Sequence, residues 1–108
     1  MDEFSDKKFI LKIGDKEWEV KFDFTSFLGI EEKYGSLTDM FVDYNKKRFQ
    51  TILDLLYLVL KNTNSDFTKK YKDKKEFAKD LDSKKIDEYD KILADALNDA
   101  FPSNLKKE

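Results

Sequence analysis

The chain has 108 residues, of which 41% are charged, and its 21 Lys and Arg nearly balance its 23 Asp and Glu to give a formal net charge of −2. This length suits a single domain, and so balanced a charge provides no basic surface for a nucleic-acid backbone. The sequence contains no cysteine and no histidine, which excludes disulfides, cysteine-based zinc sites and the usual nucleophile–base pairs of hydrolytic enzymes.

Residues 8–24 predict an antiparallel β-hairpin. In the first strand, Phe9 and Leu11 fall on one face. The second strand alternates between apolar and charged residues, and its apolar positions are Trp18, Val20, Phe22 and Phe24. A period of two is typical of a half-buried strand, and residues 14–16, Gly-Asp-Lys, supply turn chemistry between the strands. Because two strands alone are marginal in water, we expect helices, or strands of another chain, to cover the apolar face.

Residues 25–101 predict a region of four to five helices, which makes the expected fold class α+β. Thr25 or Ser26 can cap a first helix. This helix ends before Gly35, a residue suited to the left-handed conformation at a helix C-terminus. Ser36, with an acidic residue three positions later, opens a short second helix.

The third predicted helix, over residues 48–62, is the most apolar segment. One broad stripe on it contains Phe49, Ile52, Leu53, Leu55, Leu56, Val59 and Leu60. Leu58 falls on the opposite side, beside Asp54, and Tyr57 lies at the edge of the stripe. Two interpretations remain open: tertiary structure covers both sides of this helix, or Tyr57 and Leu58 belong to a partner interface.

The remainder of the chain is polar and rich in lysine. Residues 62–65 indicate a loop, a short helix surrounds Phe77, and a strongly amphipathic helix spans 84–101. Pro102 stops that helix, and we expect 102–108 to form a flexible tail. The longest apolar run is too short to span a bilayer, and the acidic N-terminus is unlike a signal peptide.

Only carboxylates remain as candidate catalysts or metal ligands. Asp87 with Asp90, and Asp95 with Asp99, have a helical spacing that could hold a hard cation weakly, although a solvated polar face explains them as well. The run 69–75 interleaves lysines with one aromatic residue, but acidic neighbours dilute it. We therefore expect no catalytic residue, no cofactor, no metal ion and no nucleic-acid partner, and we do not expect an enzyme.

Residues 18–37 resemble the N-terminal part of tail assembly chaperones from long-tailed bacteriophages. In that family a strand leads into a helix with an apolar-Glu-Glu-x-aromatic-Gly segment, which here is Ile-Glu-Glu-Lys-Tyr-Gly at 30–35. An apolar central helix follows, and then a helix ending in small residues, an aromatic residue and proline; residues 52–60 and 94–102 are similar to these. The amino-acid bias also suits a phage or prophage of low-GC Gram-positive bacteria.

The resemblance implies an assembly factor that binds the tape-measure protein and recruits tail-tube subunits in the host cytoplasm, and that is absent from the mature virion. We also expect self-association at the hairpin edge through Phe4, Phe9 and Ile10, and partner binding by Tyr57 and Leu58. The alternatives are a virion structural component, such as a tail-completion or head–tail joining protein, and a small regulatory protein-binding module.

Overall fold

An antiparallel β-hairpin opens the part of the chain that the computed structural model describes, residues 7–101. Its strands are β1 (Phe9–Ile13) and β2 (Lys16–Val20). Gly14 has a φ of 65°, and Asp15 has no positive φ. This is the pattern of a type II′ turn, whose twist matches that of the flanking strands. The predicted hairpin is therefore confirmed, but its second strand ends at Val20 and does not continue to residue 24.

Phe24 departs from the predicted strand because a helix cap intervenes. It is the first residue of α1 (Phe24–Tyr34), and its side chain is 79% exposed. The Asp23 carboxylate accepts the Ser26 N–H at 3.0 Å, and Ser26 Oγ accepts the Asp23 N–H at 3.2 Å. This reciprocal capping box satisfies two backbone donors. The prediction that Thr25 or Ser26 is the N-cap was wrong, since Ser26 supplies the second half of a box that Asp23 begins.

Five more helices follow α1 within the described residues. They are α2 (Leu37–Lys46), α3 (Arg48–Thr63), α4 (Phe67–Lys70), α5 (Lys74–Lys79) and α6 (Ile86–Asp99), with a 3₁₀ turn at Ser83–Lys85 before the last. Gly35, with a φ of 99°, ends α1, and Ser36 caps α2 as predicted. The helix that the sequence did not predict is α4, a single turn inside a polar stretch. The α+β fold class is confirmed.

The central helix, α3, contacts α1, α2, α4, α5, α6 and β2. Its buried residues lie around most of its circumference: Thr51, Ile52, Asp54, Leu55, Leu56, Val59 and Leu60. Tertiary structure therefore covers both the apolar stripe and the side that holds Asp54. Two helices lie beneath the hairpin, because α3 packs on β2 while α6 packs mainly on β1.

A cluster of aromatic rings fixes the lysine-rich segment between α3 and α6. Trp18 of β2 meets Phe67 of α4 edge to face, with ring centroids 5.1 Å apart. Phe67 lies 5.1 Å from Phe77 of α5, and Tyr71 also lies 5.1 Å from Phe77. Such edge-to-face pairs contribute about 0.5–1.5 kcal/mol beyond the area that they bury. The segment is thus polar in composition but anchored by three buried rings.

Candidate protein-binding surface

The structure places Tyr57 and Leu58 in packing within the chain. Both are half-buried. The Tyr57 ring lies 5.6 Å from that of Phe67 and 6.2 Å from that of Phe77. Leu58 packs on Gly29 of α1 so closely that a Cβ added at Gly29 would lie 2.9 Å from Leu58 Cδ1. Contacts inside the fold account for the apolar character of both residues, and their role in binding a partner stays a prediction.

The three residues predicted at the hairpin edge do not form one patch among the described residues. Phe4 lies outside them. Phe9 is half-buried and packs against the core, whereas Ile10 is 46% exposed. Neighbouring residues of a strand point to opposite faces, so Phe9 and Ile10 face different surroundings. Their part in self-association also stays a prediction.

A pair of exposed apolar side chains on α1 was not predicted as a contact site. Phe24 and Leu28, 79% and 54% exposed, are four residues apart and share one side of the helix. Glu31 and Glu32, also exposed, flank them on this side. We call these four residues the α1 surface. The spacing of Phe24 and Leu28 is the signal that could have revealed it, but it is informative only once the helix is known to begin at Phe24.

Two polar contacts join α1 to α3. Near its start, Asn62 Nδ2 donates to the Asp23 carboxylate at 3.0 Å. Partial burial raises the pKa of Asp23, but hydrogen bonds from Ser26 and Asn62 outweigh that effect, so this pKa lies below its usual range. Near its end, the Tyr34 hydroxyl donates to Asp54 at 3.3 Å. The α1 surface is therefore presented on a fixed helix, and binding does not require the helix to become ordered.

A small apolar cleft separates α2 from α6. It has a volume of about 150 Å³, and its apolar walls include Phe22, Met40, Phe41, Leu93 and Leu97. At its rim the Tyr44 hydroxyl donates to Asp90. Pockets for small-molecule ligands have volumes of about 300–1,000 Å³, so this cleft is too small to be a ligand site of the usual kind.

Three of the four carboxylates considered as metal ligands, those of Asp87, Asp90 and Asp95, are engaged in ion pairs. Arg48 Nη2 lies 2.7 Å from Asp87 and 3.4 Å from Asp90, and Lys91 Nζ lies 3.0 Å from Asp95. Over residues 7–101, no group of three or more His, Cys, Asp or Glu side chains could hold a metal ion.

The aromatic residue of the basic run 69–75 is Tyr71, and it is buried. Its hydroxyl donates to Asp80 at 2.7 Å. A ring in this position cannot stack on a nucleic-acid base, which is the contact that the run would otherwise offer.

None of the helices in the described part of the chain is long and apolar enough to cross a membrane. Comparison with protein-family models, with curated proteins and with solved structures found no match. Any functional proposal therefore depends on the residues of this chain and on the resemblance of residues 18–37.

Proposed function

We propose that this protein is a phage tail assembly chaperone, which binds the tape-measure protein and recruits tail-tube subunits in the host cytoplasm without remaining in the mature virion. The α1 surface is the observation that supports this proposal. It lies within residues 18–37, the segment that resembles the family, and it exposes two large apolar side chains on a rigid helix.

The composition of the α1 surface suits a helical partner. Phe24 and Leu28 offer an apolar strip one helical turn long, and Glu31 and Glu32 place carboxylates beside it. A partner helix with an apolar stripe and flanking lysines or arginines would bury the strip and face the carboxylates. Tape-measure proteins, as long helical rods, would present such stripes repeatedly.

The expected affinity of one such contact is modest. Full burial of a Phe or Leu side chain contributes about 1.5–3 kcal/mol, and association entropy offsets much of that contribution. Many copies bound along one rod would supply a large total affinity, while each copy remains easy for a tube subunit to displace. Reversible coverage of this kind is what a chaperone for a filament core requires.

Co-expression with the tape-measure protein encoded in the same genome tests the proposal. We expect the wild-type chain to keep that protein soluble and to co-purify with it. Replacing Phe24 and Leu28 together by serine should reduce the recovered tape-measure protein roughly tenfold, since two anchors are lost. The matched control is Phe49→Ser, which removes a ring that is 59% exposed elsewhere on the molecule, and it should leave recovery unchanged.

Three results would contradict the proposal. The wild-type chain could fail to solubilise the tape-measure protein, or Phe49→Ser could reduce recovery as much as the double variant. Detection of the chain in purified mature particles would favour the virion structural component instead. Self-association is a separate part of the proposal, which light scattering of the purified chain would check.

A further inference from the structure

The two edges of the hairpin are not equivalent. On the outer edge of β2, the Glu19 N–H donates to Asn64 Oδ1 at 3.1 Å, and the Glu19 carbonyl accepts from Asn64 Nδ2 at 2.9 Å. Asn64 follows the last residue of α3, and its side-chain amide occupies both outward backbone groups of Glu19. The β2 edge is therefore blocked at Glu19.

Among residues 7–101, no other segment pairs with the outer edge of β1. The pair Ile13–Lys16 closes the two-residue turn. Hydrogen-bonded and non-hydrogen-bonded pairs alternate from there along an antiparallel ladder. Lys12–Glu17 and Ile10–Glu19 are therefore non-hydrogen-bonded pairs. Residues in such pairs direct their N–H and C=O away from the partner strand, as the contacts of Glu19 with Asn64 show. No hydrogen bond within residues 7–101 reaches the outward backbone groups of Ile10 or Lys12. These groups form an unpaired edge of the kind that accepts another strand.

A groove between β1 and α6 lies next to this edge. Helix α6 packs mainly on β1, and its residues border this edge. This groove of about 320 Å³ runs along Ile10 and Leu11 above Ile92, and its sides include Glu88, Lys91 and Asp95. Strands in a sheet are about 4.8 Å apart, so a strand added to β1 would lie over α6 with one row of its side chains against Ile92.

We infer that the β1 edge binds one extended segment of a partner protein, in which acidic residues alternate with apolar ones. Lys8, Ile10 and Lys12 are exposed on the outer face of β1. In an antiparallel pairing, carboxylates opposite the two lysines and an apolar or β-branched residue opposite Ile10 would give favourable cross-strand pairs. The partner residues between these three positions would face α6, and we expect them to be apolar. Backbone hydrogen bonds would supply affinity, and the alternating side chains would supply specificity.

A second copy of this chain, paired with Ile10 opposite Ile10, fits the edge poorly. Two β1 strands paired about a twofold axis through Ile10 would place Lys8 of each copy opposite Lys12 of the other, and like charges directly opposite are unfavourable.

This inference is independent of the α1 surface, so its failure would not affect the proposed function. The test uses the full ¹⁵N-labelled chain and the synthetic peptide acetyl-Ser-Glu-Val-Thr-Val-Glu-Ser-amide. At peptide concentrations of about 1 mM, we expect the amide signals of Ile10 and Lys12 to shift and their hydrogen exchange to slow, while that of Phe24 stays unchanged. The matched control peptide has lysine at both glutamate positions and should produce no shift.

Two variants make the test specific. Ile10→Pro removes an outward N–H without breaking a bond of the hairpin, as edge strands tolerate, and it should weaken peptide binding roughly fivefold or more. Replacing Lys8 and Lys12 together by glutamate should reverse the preference, so that the lysine peptide binds and the glutamate peptide does not.

The inference is overturned by any of three results: no shift at Ile10 and Lys12 with the glutamate peptide, equal binding of both peptides, or a dimer of the chain that Ile10→Pro dissociates. The last result would show that a second copy occupies the edge. Because the charge-reversed variant keeps the backbone intact, a failure of Ile10→Pro to fold would still leave a decisive measurement.

Discussion

Lys74 Nζ on α5 lies 2.7 Å from Oδ1 of Asp54, a carboxylate on α3 that is 6% exposed. The same carboxylate accepts hydrogen bonds from Tyr34 on α1 and from Gln50 one turn earlier on α3, and Lys33 lies 3.6 Å from it. One buried charge thus joins three helices. A buried carboxylate is tolerated only while its partners remain, because burial of an unpaired charge is costly.

We predict that Lys74→Met destabilises the fold by about 1–3 kcal/mol, since it removes the shortest of these contacts while Lys33 partly compensates. The measurement is the free energy of unfolding in urea. Lys75→Met, an exposed position on the same helix, is the control and should change stability by no more than about 0.5 kcal/mol. Equal losses in both variants would show that the Asp54 contact does not stabilise the packing of α5.

A second prediction concerns alkaline pH. Three tyrosine hydroxyls each donate to an aspartate: those of Tyr34, Tyr44 and Tyr71. Burial, and then the neighbouring carboxylate, raises the pKa of each above its ordinary value of 10.0. The folded chain therefore retains these protons to higher pH than the unfolded chain, so their contribution to stability is complete below pH 10.0 and is lost as the pH rises through the folded-state pKa values.

Unfolding free energies measured between about pH 8 and pH 11 should accordingly fall above pH 10. In Tyr44→Phe the decline should be shallower, because one of the three groups no longer titrates. A stability that stays constant to about pH 11, or a decline that Tyr44→Phe leaves unaltered, would contradict this account.

The contact between Gly29 and Leu58 leads to a third prediction. Alanine in place of a mid-helix glycine should stabilise α1 by about 0.5–1 kcal/mol. At Gly29 the new Cβ would lie 2.9 Å from Leu58 Cδ1, and overpacking of this kind costs about 1–3 kcal/mol. We expect Gly29→Ala to destabilise the wild-type chain but to stabilise a Leu58→Ala background. A double-mutant cycle should thus show a coupling of at least about 1 kcal/mol, whereas additive effects would place Leu58 outside the α1–α3 interface.

The fourth prediction concerns Asn64. Its side chain makes both bonds to Glu19 and also donates to the Leu60 carbonyl at 3.1 Å. Asn64→Ala should cost about 1–3 kcal/mol and should accelerate hydrogen exchange at the Glu19 amide, which NMR can follow. Asn45→Ala, at an exposed position on α2, is the control and should leave that exchange rate unchanged. An unchanged rate in Asn64→Ala would mean that the β2 edge is protected in another way.

The sequence predicts those parts of the fold whose signals are local. Alternation defines the hairpin, and Gly35 and Ser36 mark the boundary between α1 and α2. Phe24 shows how local signals can compete: the alternation that begins at Trp18 continues through it, yet the box formed by Asp23 and Ser26 starts a helix there. The box is itself a local pattern, and at Phe24 it prevails over the alternation.

Other features depend on contacts that no local pattern contains. The side of α3 that holds Asp54 could be covered or could face a partner on sequence grounds alone, and the contact with Lys74, twenty residues later, is visible only in the structure. The difference between the two hairpin edges depends on Asn64, which lies 45 residues from Glu19. Partner sites of this kind are determined by tertiary structure. From the sequence, the hairpin edge is accordingly predicted as a contact site without a distinction between its two strands, and the α1 surface is not predicted.

The packing of α6 on β1 also affects how the chain folds during translation. The hairpin precedes the helices that cover it, and α6, which packs mainly on β1, is the last helix in the described part of the chain. During translation α3 can cover the β2 side of the apolar face, but the β1 side stays exposed until α6 has been synthesised. A product truncated before Ile86 would keep that side exposed, and we would expect it to aggregate or to be degraded.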